Sequence, residues 1–246
     1  MANWRIHQRM RLPLFNTMFA QDGVLMYIPK NTILERPIQL VNILRADVDF
    51  MVNRRLLIVV EDGAQARLLI CDHAMDEVNF LSTQVIEAYV GENAVFDLYE
   101  LEETHNSTVR FSNLYVDQQA NSNVLLNGMT LHNGTTRNTT EVYLSGRGAE
   151  VNLCGMAIAD RNEQVDNHTF IDHRVSDCTS NELFKYVLDD QPSERLPVRY
   201  WYAKEPSILL LSRRTAISVL PVRHVCTPSR SWRFMPTMSS VHTEQP

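Results

Sequence analysis

The sequence predicts an all-β protein, and three observations carry the prediction. Between Val24 and Asp190 the chain is a succession of short alternating runs without a convincing amphipathic helix. Apolar residues recur two apart in Leu114 and Val116, Val124 and Leu126, Met129 and Leu131, Val142 and Leu144, Val151 and Leu153, and Met156 and Ile158. Each such pair can point into a common interior while Asn, Thr and Ser face outward. The runs are evenly spaced and their connections are short.

Taken in order, the predicted strands begin with the aliphatic runs Arg55–Glu61 and Ala66–Cys71, followed by Gln84–Tyr89 and the alternating Ala94–Leu101. Thr108–Val116, Asn123–Leu131, Glu141–Leu144, Ala149–Ile158 and Asn167–Asp172 complete the series. Weakly self-similar strands of this kind suit a sandwich, a barrel or a β-solenoid. Asn113, Asn123, Asn127, Asn133 and Asn152, read as ladder residues at strand edges, favour the solenoid. The pairs Asn127–Gly128 and Asn133–Gly134 favour hairpins instead.

A chain of 246 residues has enough length for one sizeable core. Its 44% hydrophobic and 21% charged content is that of a globular protein. No apolar run approaches the roughly 18 residues that span a bilayer, and no apolar signal core opens the chain, so a soluble, cytoplasmic protein without membrane contact is expected. Cys71, Cys154, Cys178 and Cys226 are too few and too scattered for a disulfide scaffold or a zinc ribbon.

The net charge of -6 is unevenly placed: residues 1–15 carry +3, residues 191–246 carry +5, and residues 16–190 carry -14. All eight glycines lie in the central block, and residues 191–246 contain no Gly, Asp or Asn, the main turn formers.

Candidate chemistry is sparse. The densest polar stretch runs from Val165 to Arg174 and is followed by Cys178. On a regular strand His168 and His173 point to opposite faces, so His168, His173 and Cys178 are weak metal candidates, and strand-edge hydrogen bonding is the expected role. Cys71 and His73, two apart, are a weaker hint still, and Cys154 reads as a small core residue. Glu100, Glu102 and Glu103 read as a solvated edge strand. The four N-x-S/T sequons, at Asn106, Asn133, Asn138 and Asn167, read as solvent-facing strand and turn residues. No Walker loop, dinucleotide fingerprint, nucleophile elbow or zinc-protease motif is present, and no acid, base and nucleophile assemble. The expectation is a protein without catalytic residues.

Several stretches together resemble a known family. Asn16-Thr-Met-Phe-Ala-Gln-Asp-Gly-Val followed by Tyr27-Ile-Pro-Lys resembles the entry to the core of the SufB/SufD family. Val165-Asp-Asn-His-Thr with Asp172-His173, then Cys178-Thr-Ser and Phe184-Lys-Tyr, resembles its later coils, closest in detail to SufD. The resemblance covers residues 16–190. It implies a right-handed parallel β-helix flanked by helical regions, and a non-catalytic scaffold of iron–sulfur cluster assembly. The implied partners are a SufB-like paralogue and a SufC-like ATPase. The iron–sulfur cluster, and a flavin at the level of the complex, are the family's context; no cofactor is assigned to this chain.

The pattern stops near Asp190, and the genetic code suggests why. Shifting the frame of Ser231–Pro246 permits a run resembling the family's closing β-helix motif, and the step from Met235 into Pro236 can yield only Ala. Met1–Phe15, shifted identically, permits a run that joins Asn16-Thr-Met-Phe. The expected organisation is therefore an out-of-frame head (1–15), a SufD-like core (16–190) and an out-of-frame, disordered or irregular tail (191–246). Helical flanks and docking elements are then missing, and Cys226 and His242 do not stand in for the family's Cys-Ser-His. Two other classes remain in view. A β-helical protein acting on polysaccharide would need grouped carboxylates in a groove. A nucleic-acid binder would use Arg195, Arg199, Tyr200, Trp201 and Tyr202, although no nucleic-acid partner is expected.

Overall fold

The computed structural model describes residues 12–20, 22–160, 163–189, 199–202 and 210–220. After a helix over residues 12–19 come fourteen strands: β1 (Val24–Ile28), β2 (Ile38–Leu44), β3 (Phe50–Val60), β4 (Gln65–Ala74), β5 (Phe80–Val90), β6 (Val95–Glu103) and β7 (Thr108–Gln118). They continue with β8 (Asn123–His132), β9 (Thr135–Leu144), β10 (Glu150–Asp160), β11 (Gln164–His173), β12 (Thr179–Asp189), β13 (Arg199–Tyr202) and β14 (Leu210–Leu220). Odd-numbered strands form one seven-stranded parallel sheet and even-numbered strands another, each strand pairing with the strand two places along the chain. The result is a β-solenoid of about six turns, which decides against the sandwich and the barrel.

All nine predicted strands fall on observed ones, β3 to β11, and β1, β2, β12, β13 and β14 are additional. The Asn-Gly pairs make no hairpins. Asn127–Gly128 lies inside β8, and Asn133–Gly134 links β8 to β9, which belong to different sheets. Strict alternation corrects two of the inward pairs. Val124 and Leu126 fix the inward parity of β8, so Met129 and Leu131 must point out. Val151 and Leu153 do the same to Met156 and Ile158 in β10.

Register keeps like above like. In the odd sheet one ladder runs Met26, Ile58, Ala88, Val116, Val142, Ile171, and another runs Ile28, Val60, Val90, Gln118, Leu144. Opposite them the even sheet stacks Leu68, Leu98, Leu126 and Leu153. These residues, Gln118 apart, belong to a single hydrophobic cluster between the sheets. At about 25 cal/mol per Å² of apolar area removed from water, this aliphatic half of each coil supplies the main driving force for stacking.

The turns from odd to even strands share one device. Asn31, Gly63, Asn93, Asn121, Gly148 and Asp177 sit one per coil at positive φ, between 54° and 73°. Only Gly, Asn and Asp visit this left-handed region cheaply. Corner amides also bond upward, Asn31 N to Asp62 O, Gly63 N to Glu92 O, Asn93 N to Ala120 O and Asn121 N to Arg147 O, all at 2.8–2.9 Å.

Helix residues cover part of the odd sheet's outer face. Asn16 is fully buried there, and its Nδ2 donates to Arg54 O (3.1 Å) and Thr83 Oγ1 (2.8 Å). In the 191–246 segment, read as disordered or irregular, residues 199–202 and 210–220 are strands. β14 pairs with β12 along its whole length, while β13 pairs over four residues. Among the described residues no helix is long and apolar enough to cross a membrane.

The corners give a first test. At Gly148, or at Gly63, a side chain would meet both positive φ and the amide of the corner residue one coil earlier, Asn121 or Asn31. Gly148→Ala should cost about 1–2 kcal/mol, whereas Asn93→Gly should stay within about 0.5 kcal/mol, both read from urea unfolding midpoints.

Candidate functional site

The same register that stacks aliphatics in one half of each coil stacks polar residues in the other. On the odd sheet Arg54, Gln84, Ser112, Asn138 and Asn167 form one inward ladder, and Ser82, Arg110 and Thr136 the next. Facing them from the even sheet are Asn42, Asp72, Glu102 and Thr130, with Glu100 on the neighbouring ladder. Five charged groups thus meet between the sheets.

Asp72 is their centre and is 1% exposed. Arg54 grips it with both terminal nitrogens (Nη2 to Oδ2, 2.8 Å), Arg110 Nε donates to Oδ2 (3.1 Å), and Asn42 Nδ2 donates to Oδ1 (2.9 Å). Arg110 also donates through Nη1 to Asn138 Oδ1 (2.8 Å) and through Nη2 to Glu100 Oε1 (3.4 Å), with Glu102 Oε2 at 3.8 Å. Glu102 accepts from the hydroxyls of Thr136 (2.6 Å) and Thr130 (3.2 Å), and Glu100 Oε1 from Gln84 Nε2 (2.9 Å). The chain of bonds continues from Asn138 to Asn167 (2.9 Å) and on to Tyr186 Oη (2.9 Å), so it crosses from the first coil to the sixth.

Burial acts on Asp72, Glu100, Glu102 and Arg110, and its balance against their partners decides each outcome. Burial alone would raise the Asp72 carboxyl, but the Arg54 hydrogen bonds and the Arg110 and Arg54 charges hold it well below the usual carboxylate range. For Glu100 and Glu102 burial outweighs Arg110, and both carboxyls are pushed up. The three carboxylates raise Arg110 against its own burial, so it stays charged. Glu102 is buried and Glu100 is half-buried, its side chain 21% exposed, so neither is the solvated edge expected from sequence; Glu103, of opposite parity, is exposed, at 58% of its side chain.

A cavity of about 50 Å³ adjoins this cluster, bordered by Glu100, Glu102, Arg110 and Thr169 and opened by two glycines, Gly128 and Gly155. A Cβ on Gly128 would meet nothing, while one on Gly155 would enter the Phe184 ring. The Thr169 hydroxyl is buried without a hydrogen-bond partner. At the other end Arg54 and Gln84 border a larger cavity of about 260 Å³ at the first coil.

His168, His173 and Cys178 do not converge. His168 Nε2 lies 2.9 Å from Asp166 Oδ2, and His173 Nε2 lies 2.9 Å from Ser180 Oγ. Burial lowers the His173 imidazole pKa against the opposing pull of Asp172. Cys178 is buried in a corner, its Sγ donating to Gly146 O (3.3 Å), and burial pushes its thiol up. Cys71 accepts a bond from Gln39 (3.6 Å), while His73 pairs with Glu103 (3.3 Å). Cys154 has outward parity and is half-buried, not a core residue. No group of three His, Cys, Asp or Glu among the described residues is arranged for a metal ion. Arg195 and the side chains of Arg199–Tyr202 lie outside the described set. The sequence reading missed Arg54, Asp72 and Arg110. Their signal was parity, since Asp72 continues the Leu68, Ile70 face and Arg110 precedes Ser112, Leu114 and Val116 on theirs.

Asp72→Ala leaves two buried guanidiniums without their shared counter-ion and should cost about 3–5 kcal/mol in urea unfolding. Because Asp72 titrates lower when folded, its contribution is complete above about pH 4 and is lost as pH falls below that. The variant should therefore show a shallower loss of stability on acidification than the parent. Gly155→Ala should destabilise by about 1–3 kcal/mol, while Gly128→Ala should be neutral or gain about 0.5 kcal/mol, by the same measurement.

Comparison with known proteins agrees with this architecture. Residues 43–195 match the family model described as "SUF system FeS cluster assembly, SufBD core domain", and residues 8–40 match the "SufBD protein N-terminal region". An iron–sulfur cluster assembly SufBD family protein of Synechocystis is 23% identical over 184 residues, covering 71% of this chain and 41% of the relative. One of Mycobacterium leprae is 32% identical over 69 residues (28% and 18%), and one of Mycobacterium tuberculosis 33% over 61 (25% and 15%). The chain thus spans less than half the length of the curated relatives it matches. With the core match alone covering well over half of its residues, the chain belongs to the SufBD family.

Proposed function

We propose that this chain is a SufD-like, non-catalytic scaffold component of iron–sulfur cluster assembly, working with a SufB-like paralogue and a SufC-like ATPase, and that its ends as translated impair it. Family membership supports the role in iron–sulfur cluster assembly, and the resemblance of residues 165–186 supports the SufD-like reading. The geometry is consistent with a scaffold. The interior is filled by aliphatic ladders and by charges bonded to one another, and the sequence-predicted ligands are each engaged with separate partners.

The corner rule supports the second part. Each of six coils places Gly, Asn or Asp in the left-handed turn, and residues 191–246 contain none of the three. The core match ends at residue 195, close to Asp190. The N-terminal match starts at residue 8, inside the head read as out of frame, so the case is stronger for the tail than for the head.

The test is complementation of a SufD-deficient strain, with the source DNA read accurately across codons 10–20 and 185–195. The exact chain should fail to restore cluster-enzyme activity, and a version with both frames restored should succeed and retain the SufC-like ATPase in a pull-down. Full complementation by the exact chain would overturn the impairment, and failure of the restored version would overturn the SufD-like assignment.

A further inference from the structure

We infer that the charge cluster between the sheets is a one-proton binding site, with Glu100 holding the proton at neutral pH. The charge count comes first. Two guanidiniums, Arg54 and Arg110, face three carboxyls, Asp72, Glu100 and Glu102. Among the described residues the other titratable groups at the cavity beside Glu100 are His168, which is paired with Asp166, and Cys154, which has outward parity. β5 presents Gln84, β7 adds Ser112 beside Arg110, β8 presents Gly128 and Thr130, and β9 presents Asn138. With every group ionised the cluster would carry one uncompensated negative charge between the sheets, where Asp72 and Glu102 are buried and Glu100 keeps 21% of its side chain exposed, an arrangement that the partly desolvated site disfavours.

The bond pattern says which carboxyl is neutralised. Both oxygens of Asp72 accept bonds from guanidiniums. Both oxygens of Glu102 are engaged, Oε1 by Thr136 and Oε2 by Thr130 with Arg110 nearby. Glu100 takes Gln84 and Arg110 on Oε1 alone, leaving Oε2 to carry a proton beside the space that Gly128 leaves open. Raised carboxyl pKa values at Glu100 and Glu102 agree with that geometry.

The sign follows from linkage. An unfolded Glu titrates near about pH 4.3, so between that pH and the higher folded pKa the folded chain holds one proton more than the unfolded chain. The unfolding constant then rises by up to about tenfold per pH unit across this window and levels off above it.

The experiment is infrared spectroscopy of the full chain in the carboxyl C=O region at neutral pH, paired with urea unfolding from pH 5 to 9. The wild type should show one protonated-carboxyl band, Glu100→Gln should lack it, and Thr136→Val, which removes a hydroxyl bond to Glu102 and leaves every charge in place, should keep it at an unchanged frequency. Relative to wild type, Glu100→Gln should gain stability progressively as pH rises. Absence of the band from the wild type, or its persistence in Glu100→Gln, would overturn the proposal. A shift of the band in Thr136→Val would overturn its placement on Glu100. Should either variant fail to fold, titration of the wild-type band still decides whether the proton is there.

Discussion

In-register parallel pairing is the constraint from which the rest of this molecule follows. A side chain in one coil sits directly over its counterpart in the next, so a residue type placed once invites its own kind above and below. The aliphatic ladders through Ile58 and Leu68 exploit this, because each added coil buries another branched side chain against two others. The polar half obeys the same rule with a different chemistry. Stacked like charges repel, and Asp72 lies directly beneath Glu102, so Arg54 and Arg110 face that pair across the gap, while Gln84 and Ser112, the two rungs above Arg54 on its ladder, carry no charge.

That arrangement makes the polar half specific where the apolar half is only cohesive. Aliphatic ladders tolerate exchange among Val, Ile and Leu at modest cost. The Asp72 bonds do not, since each donor is fixed in direction and the carboxylate has no solvent to fall back on. The cluster joins both sheets and several coils, and so it pins one sheet against the other as well as one coil against the next.

Much of this was legible in the sequence, and the failures have physical causes. Alternation located nine strands, yet Met129, Leu131, Met156 and Ile158 were turned inward because apolar pairs were read without carrying parity along the strand from Val124 or Val151. Glu100 and Glu102 were read as solvated because acidic residues usually are; their positions in step with Phe96 and Leu98 said otherwise. The partners of Asp72 lie 18 and 38 residues away along the chain, at Arg54 and Arg110, and no local pattern marks that encounter. The corner residues were visible as Gly, Asn and Asp at nearly even intervals, but only the coil period gives that spacing its meaning.

The direction of the ladders has a mechanical consequence. Their hydrogen bonds run from coil to coil along the long axis of the solenoid, evenly spaced and slanted across the parallel strands. A pull on the two ends of the chain therefore loads the bonds of one terminal coil at a time, and the stack would peel turn by turn at low force. A load across the coils would meet many bonds, together with the Arg–Asp clamps, in shear. Such a body is stiff to bending by a partner on its flank and weak to extraction by its ends.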